Sequence, residues 1–235
     1  GQFWIPDIGL CDGIAAEYAD DCRLFRFSHS FENDILAAAR NMAKRYKCHA
    51  GHNQMLEQYA LSIFDAARKF HGMGARERLL LQIAVTLHGC GKFISIRNSN
   101  ESSYNLIMST EIIGLSHLER EIIANVVRYN IRDFDYDTIQ LETQIGEDGS
   151  GNLNRSSITI LIAKLTAILR LANSMDKTHK SKLADCRMAI REGELVITTG
   201  YTGDLALERA SFEQKAGFFE EIFGIRPVLK QKRRA

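Results

Sequence analysis

The stretch that decides the fold is LLLQIAVTLHGCGK, residues 79–92. Leu79, Leu80, Ile83, Ala84 and Leu87 recur three and four residues apart, which is the period of a buried helix face. Gly89 and Gly91 then end the helix, as glycines just past a periodic run do. His88 is thereby set on the C-terminal rim of a buried helix, with Lys92 close behind it. A neutral imidazole in that position can bind a metal, and an ammonium can meet a phosphate oxygen. Taken alone the pattern also fits a histidine that only caps or packs.

The same period continues on both sides. Ser30 is a suitable N-cap for a helix marked by Ile35, Ala38, Met42, Ala43 and Tyr46. A second helix, from about His52, carries Leu56, Tyr59, Ile63, Ala67 and Phe70. Ser116 to Glu119 has the capping-box form, with Ile122, Ile123, Val126 and Val127 behind it. Ile158, Leu161, Leu165, Ile168 and Ala172 stripe the longest apolar helix. Between these two, Arg132 to Asn154 is polar and glycine-bearing, and is expected to be a mobile loop. After Asp185 the period shortens. MAIREGELVITT (188–199) predicts two strands around Glu192-Gly193, Leu205–Glu208 alternates like a third, Ser211–Gln214 opens a helix, and Arg226–Leu229 returns as a strand. The predicted fold class is mainly α, a helical bundle over 22–184 followed by a small α+β lobe over 185–235.

Composition narrows the function. Hydrophobic residues are 45% and charged residues 25% of 235, and only 2 are proline, so the chain is globular and helix-compatible. With 30 Lys+Arg against 29 Asp+Glu, a strongly basic DNA-binding protein is not expected. The charge is uneven, though: Lys164 to Ala235 holds 14 basic and 9 acidic residues by count. Five scattered cysteines without C-x-x-C suit neither a disulfide framework nor a zinc site, and point to a reducing cytoplasm. Lys164 and Arg170 interrupt the apolar run at 158–172, which is too short to span a bilayer, so no membrane partner is expected.

Three residues are candidate metal ligands on separate helices: His52, His88, and Asp176 just past RLANSM. Five are candidate phosphate or polyphosphate ligands: Lys92, Arg97, Arg128, Lys177 and Lys180. The segments HNQMLEQYALSIFD (52–65), HGMGARERLLLQIAVTLHGCGKFI (71–94), SYNLIMSTEIIGLSHLEREIIANVVRYN (103–130), KLTAILRLANSMD (164–176) and FFEEIFG (218–224) stand in an order that resembles the HD phosphohydrolase superfamily. They resemble most closely the C-terminal half of the exopolyphosphatase / guanosine pentaphosphate phosphohydrolase (Ppx/GppA) family. The resemblance implies an HD-like helical domain, a magnesium-dependent parent enzyme and a homodimer. It also implies that residues 1–21, with Gly9-Leu10-Cys11-Asp12-Gly13, are a strand and linker from an actin-like N-terminal half that carries the phosphate-cleaving acids.

One departure governs the functional expectation. The superfamily pattern implies an aspartate directly after the second histidine, bridging two metals. Here that residue is Gly89. Tyr129 is followed by Asn130 rather than histidine, and residues 98–102 (NSNES) contain none. Three ligands suffice for at most one divalent ion with open positions, not for two ions about 3.5–4 Å apart. The leading expectation is therefore a region that binds or aligns polyphosphate or another phosphorylated molecule and is not catalytic alone. The alternatives are a single-metal phosphohydrolase and a purely structural or dimerisation module.

Overall fold

A computed structural model describes residues 30–139, 141–142 and 154–232, with isolated positions at 11, 14, 15, 18, 19 and 22. Apart from those isolated positions, the strand and linker expected over 1–21 lie outside the described residues, as do the stretch 143–153 and the last three residues.

Helix α1, Phe31–Arg45, starts where Ser30 Oγ accepts the Asn33 N–H, and it buries Ile35, Leu36, Ala39, Met42 and Ala43. Helix α2, Ala50–Ala66, begins two residues before His52 because an imidazole caps it: His49 Nδ1 accepts the His52 N–H at 3.0 Å. One further turn, α3 (Arg68–His71), ends at Gly72 in the left-handed region. Helix α4, Ala75–Leu87, buries Leu79 through Leu81 and Ile83 through Leu87, with His88 as its C-cap. A 3-10 turn, Cys90–Phe93, follows.

The two glycines at this corner have different work. A Cβ on Gly91 would lie 2.0 Å from Ser99 O and 2.4 Å from Ser103 N, so only glycine lets the turn press its backbone onto the next helix. A Cβ on Gly89 would meet nothing within 4 Å.

Helix α5 is Ser99–Met108, and α6 is His117–Arg128, opened by the expected Ser116/Glu119 capping box. Helix α7, Arg155–Met175, is the spine of the molecule. It is long and apolar enough to cross a membrane by composition, yet Leu165, Ile168, Leu169, Leu171 and Ala172 are fully enclosed by the other helices. Burying such side chains is worth about 2 kcal/mol each, which is what fixes α7 at the centre. Arg170 is buried among them. Its guanidinium donates to Tyr129 O at 2.7 Å and to Arg132 O, and lies 4.7 Å from the Phe218 ring centroid. The stretch expected as a mobile loop is therefore held at its start: Phe134 packs on Tyr129 and Phe218, and Ile139 is buried.

The C-terminal part is a three-stranded sheet in the order β1-β2-β3 with one helix against it. Strands β1 (Arg187–Arg191) and β2 (Glu194–Thr199) form the expected antiparallel hairpin. Both turn residues have positive φ, 51° at Glu192 and 79° at Gly193, the primed geometry that matches strand twist. Helix α8, Ala206–Phe223, crosses over to β3, Arg226–Gln231, which pairs parallel to β2. The expected strand at 205–208 is instead the start of α8. Asp204 Oδ1 accepts the Ala206 N–H at 2.8 Å, and Leu205, Glu208 and Phe212 are buried at helical spacing while Leu207 is exposed. The helix thus opens five residues before Ser211. It lies along α7, and Phe212, Phe219 and Phe223 join one continuous core with the helices.

Candidate functional site

The end of α1, the start of α2, the end of α4 with its 3-10 turn, and the loop after α7 meet at a cavity of about 290 Å3. His52, on the first turns of α2, is nearly fully buried, and its Nδ1 donates to Asp176 Oδ2 at 2.7 Å. Asp176, at the C-cap of α7, uses its other oxygen to accept the Ser181 N–H at 2.8 Å. Burial raises the Asp176 pKa, but the hydrogen bonds from His52 and from the Ser181 amide outweigh it and hold the carboxyl below its ordinary value. His88 donates Nδ1–H to Val85 O at 2.7 Å, and burial pushes its pKa down to about 3. Its ring is therefore neutral at physiological pH, with Nε2 left to the cavity. The His52 and His88 ring centroids are 5.4 Å apart.

A third imidazole completes the group. His179 stacks on His52 at 3.9 Å between centroids and 13° between planes, and sits 5.6 Å from His49. Burial lowers its pKa first, and the neighbouring His52 lowers it further. The loop that presents it is held at both ends by carboxylates. Asp176 takes Ser181, while the buried Glu208 of α8 accepts from Thr178 Oγ1 and from Lys182 Nζ, the latter at 3.1 Å. These anchors keep His179 and Ser181 at φ 54° and 52°, a region that costs non-glycine residues about 1 kcal/mol or more.

The structure thus brings His52, His88 and Asp176 together, and Lys92 lines the same cavity. Lys177 and Lys180 are exposed on the loop that carries His179. Arg97 and Arg128 do not line it. Arg97 is exposed on the turn before α5, whereas Arg128 Nε donates to Glu101 Oε1 at 2.9 Å and its guanidinium lies 4.9 Å from the Tyr104 ring centroid. His49 and His179 were not singled out from sequence. The i, i+3 spacing of His49 and His52, and the position of His179 three residues past Asp176, were the available signals.

The donor chemistry does not fit the magnesium ion that the resemblance implies. Magnesium wants oxygens in an octahedron. Here the one carboxylate nearby is held by His52 and by an amide, Gly89 brings no donor, and the remaining groups are imidazoles. Among the described residues, three donor atoms within 4.8 Å of one another occur instead at His117, Glu121 and Glu142. There Glu121 is fully buried and accepts the Glu142 N–H.

Among the side chains lining the histidine cavity are Lys47, Lys92 and four histidines, with no aspartate or glutamate. A larger cavity of about 850 Å3 between α1 and α2 adjoins it, sharing Cys48 and Asn53 and adding Lys44 and Arg40, the latter facing Glu57 at 3.4 Å. Residues 36–216 match the family described as Ppx/GppA phosphatase, domain III, and the chain belongs to that family. No curated protein matches the chain.

Proposed function

We propose that this region of a Ppx/GppA-family protein binds the end of a polyphosphate, or a related phosphorylated ligand, in the histidine cavity. It aligns the ligand for chemistry supplied elsewhere and does not hydrolyse it alone. One observation carries the reading: the cavity is walled by two lysines and four imidazoles and by no carboxylate. Two ammonium groups with no carboxylate facing them favour an anion such as phosphate, and Lys92 would supply the charge-assisted hydrogen bond. Chain-like ligands would continue past Asn53 toward Lys44 in the adjoining cavity. Lys177 and Lys180 would add attraction that salt screens.

The test is salt-dependent binding of linear polyphosphate to the whole chain. Lys92→Ala combined with His179→Ala is expected to weaken binding about tenfold to a hundredfold, the worth of one lost charged hydrogen bond. Binding untouched by this pair, or by salt, would refute the reading. The single-metal phosphohydrolase alternative predicts turnover of a simple phosphoester that His88→Ala abolishes. Turnover at wild-type rate in that variant would discard it.

A further inference from the structure

The outward face of the sheet is unlike the rest of the surface. Strand pairing puts Arg187, Thr198 and Lys230 on one rung, and Arg191, Glu194 and Arg226 on another. Between them lies a small apolar rung, Ala189, Val196 and Val228. The alternate residues Leu195, Ile197 and Leu229 point the other way, into the core beneath α8. Val196 is only 7% exposed yet does not belong to that core cluster. Two cavities of about 390 and 360 Å3 lie on this face and share Arg191, Val196, Thr198 and Lys232. Val196 lines both, as the floor of a trough.

We propose that this trough is a second anion-binding site of the chain, taking an extended, linear polyphosphate along β2. Strand geometry sets the scale. The β1 and β3 rows flank β2 at a separation of about 10 Å, and Arg187 and Arg191 are about 13 Å apart along their strand. Arginine and lysine side chains reach across half of that width, so one phosphate chain above Val196 and Thr198 is met from both sides. The cations are available: among the described residues no carboxylate is within ion-pair distance of Arg187, Arg191 or Lys232, while Lys230 faces Glu194 at 3.8 Å. Asp185, exposed at one end, lines one of the two cavities but has its oxygens engaged by the Thr199 hydroxyl and the Gly200 amide, and Glu192 lines the other cavity from the hairpin turn. The three rungs hold no aromatic side chain, so bases would have nothing to stack on. That favours a ligand made of phosphates over single-stranded nucleic acid. The ligand's identity rests on the function proposed above; the location does not.

The experiment is anisotropy of a labelled linear polyphosphate with the whole chain, repeated over a range of NaCl concentrations. The triple variant Arg187→Ala, Arg191→Ala, Lys232→Ala should bind at least tenfold more weakly. It should also flatten the slope of log affinity against log salt by about two to three, roughly one for each lost contact. Glu194→Gln, which removes the one carboxylate amid the rungs, should tighten binding severalfold, and it tests the site without depending on the triple variant's folding. Lys92→Ala with His179→Ala should leave that sheet-dependent slope in place. If the cavity pair removes all binding while the triple variant and Glu194→Gln match wild type, the sheet site is wrong and the cavity reading stands. If wild type does not bind polyphosphate, both fail. Equal affinity for an oligonucleotide or acidic peptide of the same charge would overturn the choice of ligand.

Discussion

Gly89→Asp asks whether one missing carboxylate is what makes the cavity unsuited to cations. Gly89 has φ −100° and ψ −3°, open to every residue, and a Cβ there has nothing within 4 Å. The substitution is therefore unstrained. Gly89→Ala, its control, should stabilise the fold by about 0.4–1 kcal/mol simply by restricting the unfolded chain. An aspartate adds an oxygen donor to a cavity that His52 and His88 already line. Since Nδ1 of each is held, by Asp176 and by Val85 O respectively, each presents Nε2. Asp176 then acts as the outer partner that orients a ligating histidine. Two imidazoles and a carboxylate suit a borderline ion such as Ni2+ or Zn2+ better than magnesium.

The size of the effect follows from linkage. An ion at about 100 times its Kd stabilises the folded state by about 3 kcal/mol. For a chain of this length each kcal/mol moves Tm by about 2–4 °C, so Gly89→Asp should gain about 6–12 °C with Ni2+. Thermal melts with and without Ni2+ read this directly, and elemental analysis after desalting gives the stoichiometry. Gly89→Ala and wild type should show no comparable rise. An equal rise in wild type, or none in Gly89→Asp, would refute the reasoning.

Other perturbations test the frame that holds the site. The folded chain keeps His88 neutral down to about pH 3 and His71 below its ordinary 6.5, the latter because of burial, with Nε2 donating to Phe64 O. The unfolded chain takes up those protons near 6.5, so stability should be full above that pH and fall as pH drops toward 4. The slope from His88 is on the order of 1 kcal/mol per pH unit, and denaturant midpoints at pH 7.5 and 5 that coincide would contradict it. Arg170→Ala strands the Tyr129 and Arg132 carbonyls and should cost about 3 kcal/mol, read in urea unfolding. Gly91→Ala should cost more than Gly89→Ala gains, since its Cβ meets backbone atoms of α5; equal melting temperatures for the two would deny the close approach. Glu208→Gln should loosen the 176–182 loop, seen as faster amide exchange at Ser181 with little change in α4.

Where the sequence was legible, one chemical signal had one structural meaning. The leucine period of α4, the Ser116/Glu119 box and the Glu192-Gly193 turn each allowed a single local answer. Leu205–Glu208 did not, because four residues of alternation fit a strand or the first turn of a helix equally well. The Asp204 carboxylate on the Ala206 N–H, and a partner for the buried Glu208, decided it, and that partner, Lys182, lies 26 residues away. For the site, His52, His88 and Asp176 were readable because each marks the end of a long periodic helix. His179 was not, since it belongs to a seven-residue loop without period, positioned by Glu208 of α8. Arg128 looked like a free cation only while Glu101 and Tyr104 were unplaced. The basic face of the sheet was hidden for a related reason. Its charges come from 187–191 and 226–232, and only the β2–β3 register puts them on one side.

The arrangement of these side chains bears on which sign of ligand the proposed site would take. Two helix-end histidines and a carboxylate from a third helix are the parts of a cation site, and all three are held in place here. What the electrostatics turn on is which groups face the cavity. Asp176 is drawn behind His52 and kept ionised there, where its charge orients an imidazole and is largely hidden from anything in the pocket. Gly89 offers no carboxylate to the cavity. The nearest charges left in view are Lys47 and Lys92, with His179 stacked between the histidines and solvent. No rearrangement of the backbone is needed for this, since the open space over Gly89 would accept the acid. On the reading proposed above, the side chain at position 89, on the corner between α4 and the 3-10 turn, decides which sign of ligand the site would take.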